Sequence, residues 1–219
     1  MKAAVFREVG QPLEIEEISI SKPGPREVLV RTAAAGVCHS DLHFVEGLYP
    51  AQFPMVLGHE SAGVVEAVGS DVTYVKPGDH VITCLSVFCG HCEECLTGHM
   101  SLCASPETRR GPQDEPRLSI DSHEVNQFAN LSSFAEQMLI HEHALVKIRE
   151  DMPLDRAALI GCGVTTGVGS VFHTAGVEPG SSVAVVGCGG VGLSAINGAA
   201  LAGAGQIIAV DMVDSKLEM

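Results

Sequence analysis

Residues 182–211 read SVAVVGCGGVGLSAINGAALAGAGQIIAVD. The continuous apolar run Ser182–Val186 leads into GCGGVG at 187–192, a small-residue stretch Val191–Ala202, and a second apolar run, Gln206–Val210. Short, uninterrupted Val/Ile/Ala runs suit buried strands of a parallel sheet, and the small residues between them suit a closely packed helix. The reading is strand, loop, helix, strand. GCGGVG satisfies G-x-G-x-x-G, which alone is weak in a chain of 24 glycines, but its context makes it a dinucleotide signal. Gly187 permits the tight turn, Gly189 lets backbone approach a pyrophosphate, and Gly192 lets helix and strand pack closely. Gly190 and Val191 open the helix, whose first N–H groups favour phosphate. Asp211 ends the second strand nineteen residues after Gly192, where its carboxylate would accept from ribose hydroxyls and repel a 2′-phosphate. The nearest following base is Lys216, counted here with the cofactor loop, and the expected cofactor is NAD rather than NADP. Asp211 acting as the cap of the next helix is a compatible reading.

Working outward, the character of the chain changes at about Asp155. Asp155–Ile160 and the Gly/Thr/Ser-rich 161–170 suggest short, tightly packed helices, so residues 154–219 read as the start of a dinucleotide-binding domain. A doubly wound sheet needs about six strands, and two are visible before the chain reaches DSKLEM, so the sequence reads as a C-terminally truncated chain. Residues 1–153 are β-rich. The runs Glu27–Val30, Gly63–Val68, His80–Thr83, Phe134–Ile140 and Ala144–Ile148 are divided by turn signals such as SKPGP (21–25), VGSD (68–71) and KPGD (76–79). Short strands broken this often predict a barrel or sandwich. Residues 104–130 are polar and predict a surface lobe or long loop.

Composition limits the function classes. The 219 residues carry a net charge of −14, with no basic cluster, which argues against nucleic acid or an anionic membrane as partner. MKAAVFREVGQPLEI has no apolar leader core, and no apolar stretch is long enough to span a bilayer. Eight cysteines without a secretion signal point to a reducing, cytoplasmic setting in which metal binding or catalysis is favoured over disulfides.

Four of those cysteines fall within CGHCEECLTGHMSLC (89–103). Disulfides between such close neighbours would be strained, and a redox dithiol would use only two. One tetrahedral zinc held by Cys89, Cys92, Cys95 and Cys103 explains all four and leaves no open position, so this site is structural. His91 and His99 are not needed as ligands. Cys84 and Cys188 read as small apolar residues. Arg109, Arg110 and Arg117 read as solvated loop charges, with steering of an anionic substrate as the alternative. His123, His141, His143 and His173 have no assigned role.

The remaining chemistry is scattered among GVCHSDLH (36–43), LGHE (57–60) and LIGCGVTTG (159–167). Spacing alone does not bring Cys162 to Cys38, and each residue has an ordinary core or surface reading. Taken in order, however, GVCHSDLH, GHESAGVV, the cysteine knuckle, GCGVTTG and GCGGVG resemble the zinc-containing alcohol dehydrogenases of the medium-chain dehydrogenase/reductase family, class III-like branch, over essentially the whole chain. The resemblance implies a GroES-like catalytic domain (1–153) followed by the first part of a Rossmann doubly wound parallel sheet (154–219). It implies Cys38, His59 and Cys162 as ligands of a second, catalytic zinc with one position open to substrate. Ser40 would receive the alcohol proton and His43 pass it towards solvent. Asp41 would orient a ligand imidazole, Glu60 would stand near the metal, and His39 would face the cofactor pyrophosphate. The expected activity is oxidation of an alcohol or hydroxymethyl-thiol adduct by hydride transfer to NAD+, with a small alcohol or aldehyde as substrate. A polyol or amino-alcohol dehydrogenase is the alternative, as is a zinc-stabilised inactive fragment. The full-length protein would be a homo-oligomer, as the resemblance implies.

Overall fold

In the computed structural model, which describes residues 1–111 and 113–218, the chain divides into two compact units, Met1–Gly161 and Cys162–Met219. In the first, β1 (Lys2–Phe6), β2 (Glu14–Glu17) and β3 (Ser19–Ile20) precede the long strand β4 (Glu27–Gly36). Helix α1 (His39–Val45), β5 (Met55–Val56), β6 (Glu60–Val68) and β7 (His80–Thr83) follow. Then come α2 (Glu93–Leu96), β8 (Leu118–Ile120), β9 (His123–Glu124), β10 (Asn126–Gln127), β11 (Gln137–His141) and β12 (Leu145–Lys147). Helix α3 (Leu154–Ala157) and a 3₁₀ turn, Ala158–Gly161, close the unit.

The strands form one sheet in the order β11-β4-β6-β7-β12, a second in the order β10-β5-β1-β2, and a small third, β3-β8-β9. Alternation along β4 and its neighbours explains the core: Val28, Val30, Val65, Val81, Met138 and Ile140 meet in one apolar cluster, and Ala3, Val5, Val56 and Leu118 in another. Side chains of alternate residues share a face, so each strand contributes every second residue. Gly63 is required where β6 crosses β4, because a Cβ there would run into the Arg31 carbonyl. The β4–β6 ladder pairs Gly36 with Glu60. That register sets the site: the residues just past β4, from Cys38, and just before β6, His59, leave the sheet at the same end.

The strands expected from sequence are present, with β4 running on to Gly36 and β6 beginning at Glu60. Two expectations need correction. The first unit continues past 153, because α3 and the 158–161 turn pack onto β4 and β6, with Ala157 and Ala158 buried against Ala62 and Ile82. At Gly161 a Cβ would collide with the Thr83 carbonyl, so the chain lies tight against β7 to the end of the unit. The 104–130 stretch is also more than a polar lobe: Leu118 and Val125 are core residues and Arg117 is buried.

In the second unit, α4 (Gly163–Gly169) runs into a π-helical turn, Ser170–Thr174. Strand β13 (Ser182–Val186), helix α5 (Gly190–Leu201), strand β14 (Gln206–Val210) and the short α6 (Asp214–Leu217) follow. β13 and β14 pair in parallel, Ser182 with Gln206 through Val186 with Val210. This is one β-α-β step of an α/β parallel sheet. α5 packs on α4 through Gly167 and Gly198, where added methyl groups would press on Val191, Ser194, Val168 and Val171. The strands are not buried as the sequence suggested: Val186 is 82% and Val210 45% exposed. Among the described residues each has a single strand neighbour, so the apolar runs are only partly covered. Among the described residues, no single helix is long and apolar enough to cross a membrane.

Candidate functional site

Cys38 ends the turn after β4 and caps α1. The Asp41 carboxylate reaches back to its backbone, accepting the Cys38 N–H through Oδ2 at 3.0 Å, as an acidic third residue does in a capping box. Asp41 is buried, and its second oxygen, Oδ1, accepts the Gly58 N–H at 3.1 Å and meets His59 Nδ1 at 3.2 Å. One carboxylate therefore ties α1 to the segment that carries His59. Gly58 has φ +92°, and a side chain there would strike Ser133 and Phe134, so glycine is what lets the 56–59 segment pass this close.

With Nδ1 committed to Asp41, the imidazole keeps its other nitrogen for a ligand, the arrangement by which a carboxylate orients a metal-binding histidine. Burial alone would lower the His59 pKa, but the Asp41 contact and charge, with Cys38 in hydrogen-bonding reach, raise it. Burial would likewise push the Cys38 thiol up. The Ser40 N–H and hydroxyl and the His59 ring outweigh it and hold Cys38 below the usual thiol range. A thiol biased to thiolate beside an oriented imidazole is the donor chemistry that zinc prefers.

The other predicted residues of the first unit lie around this pair. Ser40 Oγ is 3.7 Å from Cys38 Sγ. His43 follows on α1, with its ring 4.8 Å from that of His39 and 5.3 Å from Tyr49. His39 is exposed and Glu60 is buried at the head of β6, where Gly36 leaves room for its carboxylate. Cys162 comes directly after Gly161 and caps α4.

The knuckle closes as its spacing predicts. Cys89, Cys92, Cys95 and Cys103 have their sulfurs within 4.8 Å of one another, with Cys92 Sγ 3.4 Å from Cys95 Sγ. The His91 and Cys92 N–H groups point at Cys89 Sγ, and the His91 N–H in particular lowers that thiol to about 6. The Cys95 N–H favours the Cys92 thiolate, but its three sulfur neighbours and burial push it up to about 12. Four sulfurs this close repel as anions and call for a cation, and the donor set fits zinc. His91 and His99 are exposed, beside Glu107 and Thr97, and His91 also lies within 4.8 Å of Cys89 and Glu107 by their ligand atoms.

In the second unit, Gly187 has φ +95° and its N–H donates to Val210 O at 2.7 Å, closing the loop on β14. Gly189 and Gly190 have open space where Cβ atoms would lie, and Gly192 turns its missing Cβ onto the Gly187 carbonyl. Val191 is exposed at the start of α5. Asp211 accepts the Cys188 N–H at 2.7 Å and the Val213 N–H at 3.0 Å, with Lys216 Nζ at 3.6 Å. The Cys188 contact foremost holds its carboxyl below the usual range. Asp211 does not cap α6, whose N-cap is Val213. Cys188 is buried, as a small apolar residue would be, whereas Cys84 is half-buried.

Two features escape sequence reading. Arg110 and Arg117 are not solvated loop charges: both bind Glu27, Arg117 Nε at 2.7 Å and Arg110 Nε at 3.1 Å. Aromatic residues from distant segments also gather at His59, with Phe128 5.4 Å from its ring and Phe44 4.8 Å from Phe128. Scarcity was the available clue, since the chain has only seven phenylalanines and no tryptophan.

Residues 24–150 match the family model described as the alcohol dehydrogenase GroES-like domain. Over 220 residues the chain is 43% identical to an NDMA-dependent alcohol dehydrogenase of Amycolatopsis methanolica, covering 99% of this chain and 59% of the relative. Over 223 residues it is 44% identical to an S-(hydroxymethyl)glutathione dehydrogenase of Escherichia coli, covering 100% of this chain and 60% of that one. Among solved structures, an alcohol dehydrogenase zinc-binding domain protein from Burkholderia ambifaria aligns with TM-score 0.90 and 41% identity, over 99% of this chain and 60% of that one. A benzyl alcohol dehydrogenase from Acinetobacter calcoaceticus aligns at 0.89 and 39%, with the same coverage. The chain thus spans about 60% of the length of the curated relatives it matches. With the model matching more than half its residues, the chain belongs to the alcohol dehydrogenase GroES-like domain family.

Proposed function

We propose that the chain carries the catalytic unit and the first cofactor-binding step of a zinc-dependent, NAD-linked alcohol dehydrogenase. The observation that carries the reading is the buried Asp41–His59 contact at 3.2 Å, with Cys38 beside the same ring. A carboxylate-oriented imidazole next to an acidified thiol is a metal-binding pair, and structural packing alone does not need one. Cys38 and His59 are the ligands we assign in the first unit, with Cys162 the third by family resemblance. A second zinc is assigned to the cysteine knuckle.

Zinc in such a site acts as a Lewis acid, lowering the pKa of an alcohol hydroxyl towards neutrality. The chain's own residues then manage the proton. Ser40, next to Cys38, is the residue we assign to accept it. His43, three residues along α1, is the residue we assign to pass it towards solvent. Asp41 keeps His59 in one tautomer, and buried Glu60 sets its carboxyl group at the same end of the sheet. The reaction would be oxidation of an alcohol to a carbonyl compound, with NAD+ as the oxidant that the cofactor loop would hold. For the cofactor we assign Gly187, Gly189, Gly190, Val191 and Gly192 to the pyrophosphate loop and Asp211 to the ribose, with His39 and Lys216 as flanking bases. A hydroxymethyl-thiol adduct is a second substrate reading, favoured by the S-(hydroxymethyl)glutathione dehydrogenase relatives.

The test measures zinc per chain and NADH formation on a panel of alcohols in the full-length protein and in Cys38→Ala. The reading expects turnover to vanish and one zinc to be lost while the fold remains. Full zinc and full turnover in Cys38→Ala would contradict it.

A further inference from the structure

Cys89 belongs to two groups of ligand atoms. One is the four-sulfur set of the knuckle. The other joins Cys89 to His91 and Glu107, with the sulfur, an imidazole nitrogen and a carboxylate oxygen all within 4.8 Å of one another. His91 Nε2 lies 3.3 Å from Glu107 Oε1, close to the edge of a tetrahedron whose metal bonds are about 2.0 Å long. Thiolate, imidazole and carboxylate are the ligand types that zinc takes, and three protein ligands leave a fourth place for water. The knuckle, with four thiolates, leaves none.

The backbone holds both added ligands in place. Gly90 has φ +93°, a left-handed turn that suits glycine, and the His91 N–H after it comes to 3.5 Å from Cys89 Sγ. Glu107 lies in a 3₁₀ turn, Pro106–Thr108. Its neighbour Thr108 is buried, with its hydroxyl donating to Ser105 O at 3.0 Å and its carbonyl accepting from Arg117 Nη2 at 3.5 Å. Arg117 is bound in turn to buried Glu27, so the turn that carries Glu107 is fastened to the core. The side chains of His91 and Glu107 are 63% and 41% exposed, whereas Cys89 is 3% exposed. Two ligands thus meet water, and the sulfur they share belongs to the interior. An exposed ion pair alone contributes little to stability.

We propose that Cys89, His91 and Glu107 form an open metal position at the rim of the knuckle, through which a divalent ion enters the four-thiolate site and replaces the ion held there. The inference rests on the assignment of zinc to the knuckle and adds its route of entry. A closed shell of four thiolates gives an incoming ion nothing to bind. His91 and Glu107 offer it a nitrogen and an oxygen at the surface, and Cys89 is the one ligand common to both positions. The incoming ion first binds His91, Glu107 and the Cys89 sulfur. It then exchanges its bonds to nitrogen and oxygen for bonds to the sulfurs of Cys92, Cys95 and Cys103, while the outgoing zinc exchanges those sulfurs for water. Every sulfur stays a thiolate throughout, so the exchange moves no electron and needs no oxidant.

The experiment adds cadmium, a soft ion suited to thiolates, to the zinc-loaded full-length protein. Cadmium NMR follows its arrival in the knuckle, because the resonance of an ion held by four sulfurs is distinct from that of one held by sulfur and nitrogen. The unaltered protein is compared with His91→Ala, with Glu107→Gln, and with His99→Ala, an exposed histidine of the same lobe outside the three-ligand group. His91→Ala and Glu107→Gln should each slow the exchange by at least about 10-fold, the lower end of what losing one supporting group costs a metal site. Both should begin with the same zinc content and melting temperature as the unaltered protein, and His99→Ala should exchange at the unaltered rate. Unaltered rates in either His91→Ala or Glu107→Gln would leave the two residues as a surface ion pair and overturn the entry position. Equal slowing in His99→Ala would overturn it too, since any histidine of the lobe would then serve. Loss of the knuckle zinc from His91→Ala at the outset would make His91 a permanent ligand and overturn the transient role. An unaltered protein with no metal on its four sulfurs overturns the knuckle assignment, and the entry position with it.

Discussion

Asp41 Oδ1 lies 3.2 Å from His59 Nδ1 and accepts the Gly58 N–H from the residue before it. One buried carboxylate thus sets both the tautomer of the imidazole and the path of its backbone. Replacing Asp41 by Asn keeps the shape but removes the charge that favours the Nδ1–H tautomer. Zinc affinity at the Cys38–His59 site should fall by about 10- to 100-fold, with the knuckle unaffected. Competition with a chelator of known affinity measures this, and equal affinities in the two proteins would refute the orienting role.

The knuckle should behave as a separate, stabilising site. Cys103 Sγ accepts the Cys89 N–H at 3.3 Å and lies 3.8 Å from Cys92 Sγ, so Cys103→Ser weakens the whole cluster. We expect this variant to lose one zinc per chain and to melt several degrees lower, because metal bound only by the folded state stabilises it. Unchanged melting temperature after loss of that zinc would show the lobe to be held by other means.

Asp211 should set cofactor choice. Its carboxylate closes the loop through the Cys188 N–H at 2.7 Å and remains the acidic group at the end of β14. In the full-length protein, Asp211→Ala should weaken NAD by roughly 10- to 100-fold, the usual worth of hydrogen bonds to a charged group, and narrow the preference over NADP. Calorimetric titration with both cofactors decides it. Unaltered NAD affinity would leave Asp211 with a purely structural part.

Glu27 shows the energetic role of the 104–130 stretch. It accepts from Arg110 and Arg117, with side-chain exposures of 8% for Glu27 and 8% for Arg117. Burial would raise its pKa, but the Arg110 hydrogen bonds, the Gly24 N–H and Arg117 hold it below the usual carboxylate range. Glu27→Gln leaves two guanidinium groups short of a counter-charge and should destabilise the protein by about 3 kcal/mol at neutral pH. The sign follows from the lowered folded pKa. The contribution is whole above the unfolded value of about 4.3 and is lost as pH falls through the folded value. Urea midpoints should therefore differ between the two proteins at pH 7 and draw together as pH falls below the unfolded value.

How much of this was legible depends on whether the signal is local. The 182–211 step is carried by contiguous apolar runs and glycines, and it was readable outright. The knuckle was readable because four thiols within fifteen positions have few alternative uses. Asp41 and His59 sit eighteen residues apart on unrelated elements, and only the β4–β6 register, Gly36 opposite Glu60, brings them to one end of a sheet. No periodicity encodes that pairing, so their roles came by resemblance. Glu27 with Arg117, ninety residues apart, and Phe44 with Phe128 had no local signal. Polar composition pointed the wrong way for Arg117, because a charge paired across the fold can be buried while its neighbours in sequence are exposed.

His141 supplies a separate prediction about acid stability. It is 2% exposed, and its Nδ1 accepts the His143 N–H at 3.1 Å, which places the proton of the neutral ring on Nε2. Burial, then the charge of Arg26 and the neighbouring His143, pushes its pKa down to about 4, against a smaller opposing effect of Glu142. Above about pH 7 the ring is neutral in both folded and unfolded states and contributes no pH dependence. As pH falls through about 6.5, the unfolded chain takes up a proton that the folded protein refuses until about 4, so stability drops across that interval. This window lies above the one governed by Glu27. His141→Gln offers the His143 N–H an acceptor and cannot be charged, so it should flatten the loss between pH 6.5 and 4 while leaving the lower window intact. Urea midpoints taken at half-unit steps from pH 7 to pH 4 read this directly. Parallel curves for the two proteins would mean that His141 titrates alike in both states and that its burial is without consequence for acid stability.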